Sequence, residues 1–238
     1  MVCSSGVGFD PVVDGTRYRF DNAGLYNGLF VMADRTTGSV WTHYDGTVLQ
    51  GPLAEAGARL EIVPLVHLTW EDWKAEYPDS RVMDWIDEFA QRYREVDPGR
   101  PGLSETFTET IQNFDDRLAQ NELVLGVGVS GEYRAYVLAD QPAELTVVHD
   151  ILGGEPIAVF IDPSSSFGIA YSTRLDGETL ELFVSDGEVV DASGSVWNSS
   201  GRAVSGPRAG SQLTFVTSFV TEWYGWVAYH PETSIYGE

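Results

Sequence analysis

Residues 38–41 read Gly-Ser-Val-Trp, and the same four residues return at positions 194–197. A Gly-Pro pair follows each copy, at 51–52 and at 206–207. A run that is repeated together with its flanking residues is the signature of an internal duplication, which decides the whole fold when it is present. The motif therefore predicts two tandem copies of one structural unit.

Matching anchors extend on both sides of the repeated motif. Residues 60–70 and 213–223 are runs of equal length that each begin with leucine and end with tryptophan. A second tryptophan follows three residues later, as Trp73 and as Trp226. Upstream, an Asp-Gly pair stands at 14–15 and again at 176–177. So many anchors in one order favour duplication over chance.

The two copies differ at their front ends. The second copy has the long run 122–161 before its Asp-Gly pair, whereas the first has only residues 1–10. Either the first unit is naturally shortened or the chain begins inside a larger protein. We predict a first unit at residues 1–96 that lacks its N-terminal strands, a linker at 97–120, and a complete second unit at 121–238.

The composition indicates a globular and strongly acidic protein. The chain has 238 residues, of which 43% are hydrophobic, and its net charge is −22 with a single lysine, Lys74. Such a surface repels nucleic acid and anionic membranes, so we expect no nucleic-acid partner. Two interpretations stay open: a halophilic source, where salt screens the self-repulsion, and an ordinary acidic protein from a GC-rich genome.

Short strands separated by turns predict a mainly β fold, a β-rich α+β protein with a few short helices. Asp14-Gly15 and Asn27-Gly28 stand between apolar runs and are typical of two-residue hairpin turns. Thr69 three residues before Asp72 resembles a capping box and predicts a short helix that Pro78 ends. A second short helix is expected around residues 222–229. Apolar residues at three- and four-residue steps predict one longer amphipathic helix over 80–96.

Some functional classes are disfavoured by the residue pattern. Residues 126–131 match Gly-x-Gly-x-x-Gly, but a strand and not a helix is expected to follow, so we predict a hairpin and no nucleotide cofactor. The single cysteine, Cys3, excludes an intrachain disulfide and a multi-cysteine metal cluster. No apolar run is long enough for a transmembrane segment, and no signal peptide is visible.

Several motifs together resemble the domain-of-unknown-function family 3179. They are the segments 122–126 (Glu-Leu-Val-Leu-Gly) and 132–136 (Glu-Tyr-Arg-Ala-Tyr), the repeated Gly-Ser-Val-Trp, and the closing run 223–233. The resemblance covers nearly the whole chain and implies a tandem duplication without an established reaction. It also implies an extracytoplasmic parent protein, and an upstream strand of the Arg-Ala-Tyr type that is missing here. Cys3-Ser4-Ser5-Gly6 resembles the family's Cys-Pro-Leu-Cys-Gly motif without its second cysteine.

Cys3 and His43 are the candidate catalytic residues. A thiol beside exposed backbone amides acts as a nucleophile or a soft metal ligand when its pKa is lowered, so Cys3 is also the candidate ligand for a metal ion. The alternative is a small buried side chain. His43 follows Trp41 in a polar turn and would be the base or second ligand if the fold brings it near Cys3.

The remaining histidines give weaker signals. His67 lies in an apolar run typical of a core position, His149 precedes a glycine turn, and His230 takes the place that Tyr77 has in the first unit. No two histidines have metal-ligand spacing.

Two functional hypotheses follow. The first is an extracytoplasmic, duplicated β-rich domain that binds an unknown small molecule or protein. The alternative is a thiol- or metal-dependent enzyme centred on Cys3.

Overall fold

A computed structural model of the chain describes residues 4–93 and 103–238. Strand residues make up 41% and helical residues 13%, which confirms the β-rich class and the small antiparallel sheets. Cys3 lies outside the described residues.

The N-terminal half is built from tight hairpins. Both residues of Asp14-Gly15 and of Asn27-Gly28 have positive φ, as a two-residue hairpin turn of matching twist requires. The central sheet has the order β4-β5-β6-β7, and β1 pairs with β8. The strands are β1 (Gly8–Asp10), β2 (Val12–Val13), β3 (Thr16–Arg17), β4 (Phe20–Tyr26), β5 (Leu29–Asp34), β6 (Val40–Thr42), β7 (Val48–Gln50) and β8 (Glu61–Val63).

Helix α1 (Trp70–Glu76) follows these strands, as predicted. The Thr69 side chain accepts a hydrogen bond from the Asp72 backbone N–H, so the capping interaction is present. The helix ends at Tyr77, immediately before Pro78. No residue of α1 is buried.

The longer helix predicted over 80–96 is wrong for the residues that the structure describes. Only Asp87–Arg92 forms a helix, of the 3-10 type, and residues 94–96 lie outside the described range. Val82 is 66% exposed and Trp85 61% exposed. An amphipathic helix gains most of its stability from burying its apolar face, and this face has no core to pack on.

The predicted linker contains described structure from residue 103 onward. Helix α2 (Glu105–Thr108) begins at the cap Ser104, whose side chain accepts from the Phe107 N–H. Ile111 is buried, and the next residue, Gln112, donates its N–H to the Asn27 side chain at 2.8 Å. This segment is therefore bonded to the N-terminal half.

The C-terminal half contains a two-layer sandwich. One sheet has the order β21-β9-β10-β22 and the other β11-β12-β13-β20, with an apolar core that includes Leu125, Val127 and Val159 between them. The strands are β9 (Leu123–Val129), β10 (Glu132–Val137), β11 (Thr146–Leu152), β12 (Glu155–Asp162), β13 (Phe167–Ser172), β14 (Arg174–Leu175), β15 (Glu178–Thr179), β16 (Leu182–Ser185), β17 (Glu188–Asp191), β18 (Val196–Trp197), β19 (Ala203–Ser205), β20 (Phe215–Val216), β21 (Ser218–Glu222) and β22 (Ser234–Ile235). Short 3-10 helices span Leu138–Asp140 and Pro163–Ser165.

The glycine-rich run 126–131 forms a hairpin, as predicted. Strands β9 and β10 pair antiparallel, and the turn is made by Ser130 and Gly131, both with positive φ. A strand rather than a helix follows the glycines, so the geometry of a dinucleotide-binding turn is not formed.

Helix α3 (Trp223–Tyr229) closes the chain's last sheet, and its predicted position is confirmed. Unlike α1, it buries six of its seven residues. A Cβ atom at Gly126 would lie 2.2 Å from the Trp226 ring, so only glycine allows β9 to pass under this tryptophan.

The repeated Gly-Ser-Val-Trp motif closes the same turn in both halves. The indole Nε1 of Trp41 donates to Asp34 Oδ2 at 3.0 Å, and that of Trp197 donates to Asp191 Oδ2 at 3.1 Å. The buried Ser39 and Ser195 also donate their backbone N–H groups to these two carboxylates.

The two sheets around these turns correspond strand by strand. The order β16-β17-β18-β19 matches β4-β5-β6-β7. A register shift occurs at the same place in each, between Val40 and Trp41 and between Val196 and Trp197.

A single core cluster joins the two halves. It includes Leu29 and Tyr44 from the first half with Trp223 and Trp226 from the second. The Tyr44 hydroxyl donates to Thr221 Oγ1 at 3.0 Å, and Asn27 Nδ2 donates to the Ala228 carbonyl at 2.8 Å. The halves therefore share an interface that is both apolar and hydrogen-bonded.

Candidate functional site

The surroundings of Cys3 are described only from its next residue onward. Ser4 has a positive φ of 48°, and its hydroxyl donates to Glu222 Oε1 at 2.8 Å. Glu222 is the N-cap of α3 and is only 8% exposed. A buried carboxylate therefore lies against the residue that follows the candidate thiol.

His43 is a packed residue in this fold. Its Nδ1 lies 2.8 Å from the Phe30 carbonyl and its ring stacks on Phe30 with centroids 3.8 Å apart. Burial lowers the pKa of His43, and the bond to the Phe30 carbonyl raises it by less. The imidazole is therefore neutral at neutral pH, and the Cys3–His43 pairing stays a prediction.

His67 and His149 each form a hydrogen bond with a backbone group. His67 is half-buried outside any strand, and burial lowers its pKa against a hydrogen bond with the Gly6 backbone. His149 is exposed on β11, with Nε2 2.8 Å from the Leu182 carbonyl. Within residues 4–93 and 103–238, no three His, Cys, Asp or Glu side chains come close enough to hold a metal ion.

A cleft of about 600 Å³ opens between the two halves. This volume lies within the range of about 300–1,000 Å³ that is usual for ligand pockets. Both halves supply its lining: Tyr44, Asp45, Arg59 and Glu61 from the first, and Ser130, Tyr133, Trp226 and His230 from the second.

Stacked rings form one wall of this interhalf cleft. His230 caps the C-terminus of α3 and lies flat on Tyr133, with centroids 3.8 Å apart and an interplanar angle of 21°. The Trp226 ring also lies against His230, with centroids 4.3 Å apart and an interplanar angle of 54°. Tyr44 closes the back of the cleft and meets Phe219 edge-on at 4.8 Å.

The position of His230 controls its protonation. Burial lowers the pKa of His230 to about 4, while the carboxylate of Asp45 raises it and the guanidinium of Arg59 lowers it. The ring is therefore neutral at neutral pH and offers one N–H donor and one acceptor nitrogen.

The rim that the first half supplies is polar. Asp45 Oδ1 accepts from the hydroxyls of Thr42 and Thr47, which fixes the carboxylate. Its Oδ2 faces Arg59 Nη2 at 4.0 Å, and Arg59 also donates from Nε to the Asp45 carbonyl at 3.0 Å. A carboxylate and a guanidinium group are thus held close enough to the His230 imidazole to affect its charge.

A second cleft, of about 560 Å³, lies beside α1. Tyr77 stands at its edge, at the C-cap of α1, as His230 stands at the C-cap of α3. Asp72, Glu76 and Asp162 contribute carboxylates to a lining that also contains Trp197. The two clefts therefore share a position relative to their helices but differ in chemistry.

Sequence reasoning missed the cleft residues. The sequence gives only a weak signal for His230, which takes the place of Tyr77, and it does not single out Asp45 or Arg59. The sequence contains one signal for this site: Trp226 and His230 are four residues apart, a spacing that places both rings on one face of a helix. The partner ring Tyr133 comes from another strand and could not be paired with them from spacing.

The described part of the chain has no helix that is long and apolar enough to cross a membrane. Fold and cleft together define a β-rich protein whose two halves enclose a ligand-sized space. The chain belongs to the family described as Protein of unknown function (DUF3179), whose sequence profile matches residues 1–233. Among curated proteins and among solved structures, no match was found.

Proposed function

We propose that the protein binds a small, neutral, hydroxyl-rich ring, such as a sugar, in the interhalf cleft. The observation that carries this proposal is that the stacked rings of Tyr133 and His230, backed by the buried Trp226, line the same cleft as the polar groups of Asp45, Arg59 and Glu61. Ligand pockets combine a mainly apolar lining with a few fixed polar groups, and this cleft has both.

The shape of the wall supports a ring-shaped ligand. Tyr133 and His230 are already stacked, so the wall is pre-organised and loses little side-chain entropy when a ligand arrives. A flat ligand with apolar C–H groups on one face would lie against this wall. Its other edge would reach the rim at Asp45 and Arg59.

The chemistry of the rim supports hydroxyl groups over a charged ligand. Asp45 and Glu61 accept hydrogen bonds, Arg59 donates them, and Ser130 does both. A neutral His230 adds a donor and an acceptor. Groups of opposite charge on one rim suit a ligand that carries many donors and acceptors and no net charge.

The internal duplication is part of the same proposal. The matching sheets, bulges and Asp–Trp bonds support two copies of one unit. Of the two clefts described above, the one at His230 contains an imidazole and a guanidinium, whereas the one at Tyr77 is lined by carboxylates. The extracytoplasmic location rests on the family resemblance alone.

The test uses saturation-transfer NMR of the protein with a panel of neutral mono- and oligosaccharides. We expect signals from at least one sugar, with affinity reduced about tenfold in Arg59→Ala, since a hydrogen bond to a charged group contributes about 1.5–3 kcal/mol. Arg35→Ala is the matched control, because Arg35 is an equally exposed arginine paired with Asp21 outside the cleft.

Two outcomes would contradict the proposal. One is a panel that gives no transfer at all. The other is a sugar that binds equally well to the wild type and to Tyr133→Ala, which lacks a ring of the wall.

The thiol- or metal-dependent enzyme centred on Cys3 is the second candidate. It is supported by the contact between Ser4 and the buried carboxylate of Glu222, which places a group able to ligate a metal ion or to accept a proton next to the residue after the thiol. The measurement is the pH profile of Cys3 alkylation, together with elemental analysis of the wild type and Cys3→Ser. A thiol that titrates below about 8.5, or a metal lost in Cys3→Ser, supports it. An inert, metal-free thiol counts against it.

A further inference from the structure

Strand β8 is paired with another strand on one edge only. Within the described part of the chain its strand partner is β1, with Phe9 opposite Ile62. Just before β8, an isolated bridge joins Arg59 to Thr47. No further strand among the described residues joins β8, so its second edge is open for part of its length.

The direction of the backbone groups along β8 follows from strand geometry. In an antiparallel ladder the N–H and C=O of one residue point to one edge, and those of the next residue point to the other edge. Leu60 donates its N–H to the Gly46 carbonyl at 3.0 Å. Ile62, two residues later, therefore points to the same edge as Leu60, whereas Glu61 points to the opposite edge.

The equivalent strand of the second half shows which edge this is. Leu213 donates its N–H to the Gly201 carbonyl at 2.9 Å, and the next residue, Thr214, accepts from the Ser172 N–H of β13 at 2.9 Å. The glycine and the strand partner thus lie on opposite edges. Because β1 has the place on β8 that β13 has on β20, the backbone groups of Ile62 point away from β1.

This open edge borders the interhalf cleft. Ile62 and Asp45, the residue before Gly46, both line the cleft, and Ile62 is only partly buried. The open stretch is short, because the Leu60 N–H is already bonded and Pro64 has no N–H. Strand addition obtains its affinity from a series of main-chain hydrogen bonds, so this edge suits a single polar substituent better than an added peptide strand.

We propose that the interhalf cleft selects a sugar that carries an N-acetylated amino group. This inference rests on the proposed function, in which the wall of Tyr133 and His230 holds the sugar ring. The acetamido carbonyl accepts from the Ile62 N–H, and a neighbouring ring hydroxyl donates to the Ile62 carbonyl. Acetylation also leaves the amino group uncharged, in agreement with a neutral ligand.

Apolar side chains beside the open edge suit the methyl group of the acetamido substituent. Val63, Phe215 and Phe219 line the same cleft as Ile62. A hydroxyl group in this position would bond to the backbone but would leave these side chains without a contact. An acetamido group supplies a carbonyl oxygen and a methyl group together, so it matches both the polar edge and its apolar neighbours.

The experiment titrates the intact protein with N,N′-diacetylchitobiose and with cellobiose by calorimetry. The two disaccharides have the same linkage and differ only by an acetamido group in place of a hydroxyl on each ring. We expect the acetylated sugar to bind about tenfold more tightly, because it adds a stronger acceptor and a buried methyl group.

Two substitutions separate the backbone of Ile62 from its side chain. Ile62→Pro removes the N–H at a position where the ladder with β1 does not use it, and proline is tolerated on such edges. We expect the preference for the acetylated sugar to fall to about twofold or less in Ile62→Pro. Ile62→Val keeps the N–H and should keep the preference. The ratio of the two affinities is the readout, so a general loss of binding cancels.

Hydrogen exchange of the wild-type protein tests the open edge without any substitution. In the free protein the Ile62 N–H should exchange faster than the Val63 N–H, which points towards β1, and saturating diacetylchitobiose should slow it. An Ile62 N–H that is already protected in the free protein overturns the proposal, whether or not Ile62→Pro folds.

The two sugars distinguish this proposal from the proposed function. A preference for diacetylchitobiose that is lost in Ile62→Pro and kept in Ile62→Val supports it. Equal binding of the two disaccharides, or binding of neither, overturns it. The wider saccharide panel still decides the proposed function, because a neutral sugar without an acetamido group could bind there.

Discussion

A buried aspartate explains at the residue scale why Gly-Ser-Val-Trp occurs twice. Asp34 and Asp191 each accept an indole N–H, a serine N–H and a hydroxyl. Burial raises the pKa of each carboxyl, but these hydrogen bonds outweigh it and the net shift is downward. The motif therefore stabilises the same hydrogen-bonded turn in both halves.

His230 gives a pH prediction at the same scale. The unfolded chain protonates this imidazole near pH 6.5, whereas the folded protein does so only near 4. Its contribution to the free energy of unfolding is complete above pH 6.5 and is lost as the pH falls from 6.5 to 4, by about 3 kcal/mol. His230→Phe keeps a stacked ring and removes this proton uptake.

The measurement is urea unfolding of wild type and His230→Phe at several pH values between 7 and 4. We expect the stability of the wild type relative to the variant to fall steadily across this range. His43 and His67 have pKa shifts in the same direction but are present in both proteins, so they cancel. Parallel pH curves for the two proteins would contradict this prediction, because they would mean that the pKa of His230 is the same in the folded and the unfolded protein.

At the scale of the secondary-structure element, helices α1 and α3 share a local sequence pattern but should contribute differently to the free energy of unfolding. Both end at a tryptophan-anchored C-cap, but only α3 lies on a hairpin. The stability contribution of the tryptophan comes from the area that it buries, so the same substitution should have different effects in the two helices.

We expect Trp226→Ala to lower the free energy of unfolding by about 3–5 kcal/mol, as is usual for a large buried aromatic residue. Trp73→Ala should cost about 1 kcal/mol or less, because its ring is 39% exposed. Chemical denaturation of both variants measures the difference. An effect of Trp73→Ala as large as that of Trp226→Ala would contradict this expectation.

The prediction of helix 80–96 failed at this scale for a physical reason. Its apolar residues recur with helical period, but Val82, Met83 and Trp85 are exposed and have no packed surface beneath them. Periodicity reports which side chains share a face, whereas helix stability in proteins depends on what that face contacts. Capping signals, which act within one turn, were more reliable, as Thr69 and Asp72 show.

Charge is the dominant property at the scale of the whole molecule. A net charge of −22 on 238 residues opposes compaction at low ionic strength. We expect sodium chloride to raise the melting temperature, by about 2–4 °C for each 1 kcal/mol of repulsion that it screens. Sucrose at matched osmolality is the control for general solvent exclusion. A melting temperature that does not change with salt would show that charge repulsion does not limit the stability of the folded state.

Turn positions, caps and the repeated motif were predictable from the sequence because each is decided within a few residues. Asp14-Gly15 and Asn27-Gly28 adopt positive φ in their hairpin turns. The Thr69 side chain caps α1 by accepting a hydrogen bond from the N–H of Asp72, three residues later. The glycine-rich run 126–131 was likewise recognised as a hairpin from its flanking strands. Composition indicated an acidic, globular chain, and the alternation of short apolar runs with turns predicted its β-rich class.

Only the tertiary structure decided where these local elements meet. The cleft combines Asp45 and Arg59 with Tyr133 and His230, residues that are distant in sequence and are joined by the packing of Tyr44 against Phe219. The tertiary structure also decided that α3 is buried while no residue of α1 is buried, because burial depends on which other segments pack against a helix. The physical reason is that turn and cap energies are local, whereas burial is set by contacts between segments far apart in the chain.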